Sequence, residues 1–178
     1  MQKISAFLSF NDQAAAIIVG RARVLVAFLI VLSSAAISQA ESADFENLKD
    51  RLVGTWSFIE DNKTYEATFE AVSHGHTLLE RNSGFIAVYF PNGDHGLLMT
   101  LYTRDGNQPR LRAEGFGENP ASIWFKFQDI TNWKKGTEHI NGLEFFFKDR
   151  DHVTETWETL KPNGAKERFG FELTRKGR

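Results

Sequence analysis

Apolar residues recur at every second position through most of this chain, and that period selects extended strands over helices. Trp56/Phe58, Tyr65/Ala67/Phe69, Leu97/Met99/Leu101, Ile123/Phe125/Phe127, Leu143/Phe145/Phe147 and Phe169/Phe171/Leu173 each put one apolar face on an extended segment. Turn chemistry separates the runs: Asp61-Asn62, His74-Gly75, Asn82-Ser83-Gly84, Pro91-Asn92-Gly93-Asp94, Asp105-Gly106-Asn107, Gly117-Glu118-Asn119-Pro120, Asp149-Arg150-Asp151 and Pro162-Asn163-Gly164. Only residues 130–138 read as a longer connection. The pattern predicts an all-β fold, a single up-and-down antiparallel β-barrel of about ten strands, because closure removes the sheet edges that so many hairpins would otherwise expose. Strand order then assigns ends. With the first strand starting at the lower end, the turns at 61–62, 82–84, 105–108, 130–138 and 161–164 are upper. Those at 73–75, 91–94, 117–120 and 149–151 are lower.

The N-terminus has a different character. Arg21 and Arg23 precede an apolar run from Val24 to Leu32, and Ser38-Gln39-Ala40 places small residues where a signal peptidase reads. Residues 1–40 therefore read as a cleavable signal segment and 41–178 as the barrel domain, opened by a short polar stretch from Glu41 to Arg51. The exported protein is expected in the periplasm or outside the cell. The apolar run is shorter than the roughly 20 residues a bilayer span requires, so no stable membrane span is expected after cleavage. An uncleaved anchor is the alternative. Removing residues 1–40 takes away Lys3, Arg21, Arg23 and Asp12, which moves the formal charge from −2 to −4. Such a balance argues against a nucleic-acid partner, which calls for a basic stripe. The chain has no Cys, which excludes disulfides, thiolate metal sites and a Cys nucleophile. Its 16 Phe against 3 Tyr then have a structural task first, filling the barrel.

Leu52-Val53-Gly54-Thr55-Trp56 resembles the Gly-x-Trp opening of calycin (lipocalin-like) barrels. In that family a basic residue of the last strand packs over the Trp, and Phe171-Glu172-Leu173-Thr174-Arg175 offers one. The end assignment places Trp56 and Arg175 together at the lower end. Gly106-Asn107-Gln108-Pro109-Arg110-Leu111-Arg112, Asp129-Ile130-Thr131-Asn132, His139 and Asp149-Arg150-Asp151-His152 with Trp157 are similar to a group of exported bacterial barrel proteins. Where that group places His and Cys about Tyr102, this chain has Leu101 and Thr103. The resemblance implies the fold and export but no activity. Heme-binding nitrobindin-like barrels share only the general architecture.

Two sets of residues are candidates for chemistry. At the upper end, Pro109 holds Gln108 extended, so Asn107 and Gln108 present amides in a fixed orientation. Arg110 and Arg112 follow, and the long connection brings Asn132 and His139 to the same end. His139 shares strand parity with Leu143, Phe145 and Phe147, which directs it inward. Together these residues suit an anionic or carbonyl group at an apolar mouth. The competing reading is that the amides serve their own loops and the arginines are solvated. Glu155 is the second candidate. Closing the hairpins about Arg150 and Asn163 pairs Glu155 with Phe145 and Phe171, and Trp157 with Leu143 and Phe169, which puts a carboxylate inside an aromatic face. Such a group must be paired or protonated, and Arg112 is the expected partner. A one-residue slip would instead expose Glu155 and turn Thr154 and Thr156 inward.

The expected function is binding of a small apolar or amphiphilic ligand in a cavity lined by Phe125, Phe145, Trp157 and Phe171. The alternatives are an enzyme using Glu155 or His139 as acid/base with Arg112, and a solid-packed envelope or interaction protein. No Gly-x-Ser-x-Gly, phosphate loop or His-Glu-x-x-His motif occurs. The cofactor is open. Zinc at His74-x-His76 with His95 or His152 is not expected, nor is heme, since His139 stands near a rim.

Overall fold

A computed structural model describes residues 43–93, 96–117 and 120–177. The expected signal segment and His95 lie outside the described residues. A helix over 43–52 (α1) precedes ten strands. These are β1 (Gly54–Glu60), β2 (Lys63–Val72), β3 (Thr77–Arg81), β4 (Phe85–Pro91), β5 (Leu97–Thr103), β6 (Gln108–Ala113), β7 (Ser122–Thr131), β8 (His139–Phe147), β9 (His152–Leu160) and β10 (Lys166–Arg175). Each pairs antiparallel with its neighbours in sequence, and β10 returns to β1 to close the barrel. This is the predicted ten-strand up-and-down architecture, consistent with a calycin-like fold.

The register follows turn chemistry. Val153 pairs with Phe147 and Leu173, Glu155 with Phe145 and Phe171, and Trp157 with Leu143 and Phe169, as the hairpin closures require. Side chains of Phe69, Tyr89, Met99, Leu111, Phe125, Phe145 and Trp157 fill the interior and are fully or almost fully buried.

The lower end is plugged. The sequence predicts a polar entry over 41–51, whereas residues 43–52 form α1. Phe45, Leu48 and Leu52 recur at helical spacing, and all three are buried. Burial of each such side chain is worth about 1.5–3 kcal/mol, which offsets the helix's polar composition. Lys49 Nζ donates to the Gly75 carbonyl at 3.2 Å, and the Arg51 guanidinium stands 4.9 Å from the Phe147 ring, so the helix grips two lower turns. Arg175 completes the closure. Its guanidinium stacks 4.1 Å from the Trp56 ring and donates to the carbonyls of Val53 (2.7 Å), Arg51 (2.5 Å) and Arg150 (3.2 Å). Gly54 is needed there: its φ is +138°, and a Cβ would stand 2.7 Å from Arg175 Nη1.

The upper end is different. β1 and β10 pair at only two positions, Trp56↔Arg175 and Ser57↔Thr174. Above them the strands part, and the rings of Phe58 and Phe171, 4.7 Å apart, occupy the seam.

Candidate functional site

A cavity of about 270 Å³ opens at the upper end. Phe58 of β1, Phe169 and Phe171 of β10, Phe85 of β4, Leu101 of β5, Ile140 of β8 and Trp157 of β9 form its apolar walls. Glu60, Thr103 and the Asn82-Ser83-Gly84 turn edge its mouth. The Trp157 ring meets Phe85 edge-on at 5.1 Å, and Phe169 meets Phe171 at 6.1 Å. Mostly apolar walls with a few polar groups at the rim are the usual character of a small-molecule pocket.

Beneath this cavity lies a buried acidic pair. Glu155 faces inward, as the hairpin register demands, and is 1% exposed. Its partner is Glu80 of β3, 0% exposed, which reaches it from the opposing wall of the barrel. Tyr89 Oη donates to Glu80 Oε2 at 2.5 Å. Burial raises both carboxyls: Glu80 rises to about 7, restrained by the bond from Tyr89, and Glu155 rises well above the usual carboxylate range through burial and the neighbouring Glu80. Glu155 is held protonated beside Glu80, because two like charges in contact cannot both ionise cheaply in such surroundings. Tyr89 is likewise pushed well up by burial and by both acids, so it stays a donor.

The sequence candidates distribute themselves unevenly about this arrangement. Trp157 and Phe171 line the cavity. Phe125 and Phe145 lie deeper, as solid core against Tyr89 at 5.7 and 6.1 Å. Asn107 and His139 share a shallower rim recess with Thr103, Pro109, Glu138 and Thr159. Asn107 serves its own turn there, its Nδ2 donating to Asp105 Oδ2 at 2.7 Å. Gln108 Oε1 accepts from Thr131 Oγ1 at 3.0 Å, and Asn132 sits exposed in the connection with φ +56°.

Two expectations need correction. Arg112 does not pair with Glu155. Pro109 and Leu111 take the inward positions of β6, so alternation turns Arg110 and Arg112 outward. Arg110 is bound there by Asp129, with Nε–Oδ1 at 2.9 Å and Nη2–Oδ2 at 2.6 Å. His139 is not on the cavity wall either. The β8–β9 register shifts between Ile140 and Gly142, and this bulge resets the parity so that Ile140 takes the inward place. The His139 ring rests instead 4.8 Å from Phe127 and 5.4 Å from Trp133. Glu155, His139 and Arg112 therefore stand in three separate places and do not form an acid/base constellation.

Glu80 and Tyr89 were missed by the sequence reading. The available signal was parity: Glu80 follows Leu78 by two residues, and its paired neighbours Phe69 and Ala87 are both interior. Among the described residues, no group of three or more His, Asp or Glu side chains is placed to hold a metal ion. No family model matches the chain, and no curated protein matches it.

Proposed function

We propose that the protein is an exported, lipocalin-like carrier that binds one small apolar or amphiphilic molecule in the upper cavity of its barrel. The cavity itself carries this reading: about 270 Å³ of apolar-walled space at the end opposite the helical plug. That volume accommodates about nine groups the size of a water or methylene, which suits a chain of about eight carbons or a small aromatic body. Export rests on Arg21, Arg23, the Val24–Leu32 run and Ser38-Gln39-Ala40.

Isothermal titration with n-octanol tests the carrier reading. One saturable site per chain is expected, weakened at least about tenfold by Ile140→Trp, which adds bulk to the cavity wall. An absence of binding, or equal affinity in the two proteins, overturns it. The intact mass of protein recovered from its own host tests export. A chain starting after Ala40 is expected, and one starting at Met1 counts against it.

A further inference from the structure

Three buried polar atoms have no hydrogen-bond partner among the described residues: Glu80 Oε1, Glu155 Oε1 and Trp157 Nε1. They belong to one neighbourhood. Glu80 and Glu155 touch, and the Trp157 N–H is turned toward Glu155, where it favours the ionised form without reaching hydrogen-bond geometry. Trp157 is also a wall of the upper cavity. It stands two residues above Glu155 on β9, about 7 Å at the rise of an extended strand. The acidic pair therefore lies just beneath an aromatic floor.

The charges and ring faces around the cavity favour one sign. Among the described residues, Glu60 at the mouth is its only ionisable wall residue, and no Lys, Arg or His lines it. Phe58, Phe85, Trp157, Phe169 and Phe171 supply five rings. An aromatic face is the negative end of a quadrupole and attracts a cation placed over it, most strongly for Trp. From below, an acid pair holding fewer than two protons adds a negative field that the interior screens far less than water does. The arginine next to Glu80 on β3 does not neutralise it: Arg81 is exposed, its guanidinium 3.9 Å from the Glu70 carboxylate.

We infer that the upper cavity selects an organic ammonium ion carried on a small apolar body, with the cation over the Trp157 ring and the Glu80–Glu155 pair beneath it as counter-charge. The inference rests on the carrier reading and adds the charge of the occupant. An alcohol of equal length fills the same space without using the field, and a carboxylate of equal length is repelled by it.

Titrations with octylammonium, n-octanol and octanoate separate the two levels. At pH 8 the ammonium is expected to bind at least about tenfold tighter than the alcohol, with octanoate weakest. Octylammonium stays charged from pH 5 to 8 and octanol has no charge, so any pH dependence of their affinity ratio belongs to the protein. The ionisable groups facing or underlying the cavity are Glu60, Glu80, Tyr89 and Glu155. Between pH 8 and 5 the acidic pair takes up protons, and the ratio is expected to shrink to below about threefold. The double variant Glu80→Gln/Glu155→Gln is expected to hold that small ratio at both pH values. Phe169→Leu, at the rim, tests the ring contribution without touching the buried pair and should lower the ratio. An alcohol bound as tightly as the ammonium, or a ratio constant from pH 5 to 8, overturns the ammonium inference and leaves the carrier reading standing. If none of the three probes binds, both fall. Should the double variant fail to fold, the wild-type pH series decides alone.

Discussion

Glu80 and Glu155 concentrate the electrostatic cost of this barrel in one contact. A carboxyl raised by burial keeps its proton in the folded state to a higher pH than in the unfolded chain, so stability falls as pH rises between the two values. For Glu80 that window runs from the ordinary 4.5 to about 7, and Glu155 extends it in the same direction. Against its partial burial Glu158 is held low by Lys166, Asn141 and Arg168, and Glu172 is held low by Lys148 and Thr154, so their stabilisation is lost only below pH 4.5 and does not obscure the window. Urea midpoints measured from pH 5 to 8 should therefore decline in the wild type and stay nearly flat in Glu80→Gln/Glu155→Gln. A midpoint that rises with pH, or a decline that survives the double substitution, would show that the pair is not the cause. The inward face of Glu155 was legible from hairpin spacing. Its partner was not, because β3 meets β9 only through the curvature of the closed sheet. Arg112, the partner expected from the sequence, takes the outer face of its strand, which its position along the chain does not reveal.

At the level of elements, the two ends of the barrel are built for different tasks. The lower end is sealed by α1 and by Arg175, whose guanidinium serves the Trp56 ring and three carbonyls at once. Arg175→Ala leaves those carbonyls short of a donor and removes the cation–π contact. A loss of about 2–4 kcal/mol is expected in denaturant unfolding. A loss under about 0.5 kcal/mol, the scale of an ordinary surface change, would refute the sealing role. The upper half of the β1–β10 seam has the opposite character, since the strands pair only at Trp56↔Arg175 and Ser57↔Thr174. Hydrogen exchange should find the amides of residues 168–172 that point toward β1 fast, and those that point toward β9 protected. Uniform protection along β10 would mean the seam is closed in solution. The bulge at Asn141 is the third device. It leaves Ile140 on the cavity wall and His139 at the rim, a reversal that no alternation count reveals, because one inserted residue inverts everything on one side of it.

For the molecule as a whole, the carrier reading makes a thermal prediction. A ligand that binds only the folded barrel and is present at 100 times its Kd adds about 2.7 kcal/mol. At the size of this domain that raises Tm by roughly 5–10 °C. Octylammonium at pH 8 should produce this shift, and a Tm unmoved at saturation would contradict binding to the native state. By itself the sequence determined an up-and-down barrel of about ten antiparallel strands, the registers of the hairpins about Arg150 and Asn163, the two ends, and the placing of Trp56 and Arg175 at the same end. All of these follow from local information: period-two alternation, turn residues, and the parity of consecutive strands. The tertiary structure alone decided which polar groups share the interior, where the cavity lies, and that a short helix plugs one end. Those depend on closure, which brings together side chains from strands far apart in sequence, and on one bulge that changes which face a residue shows.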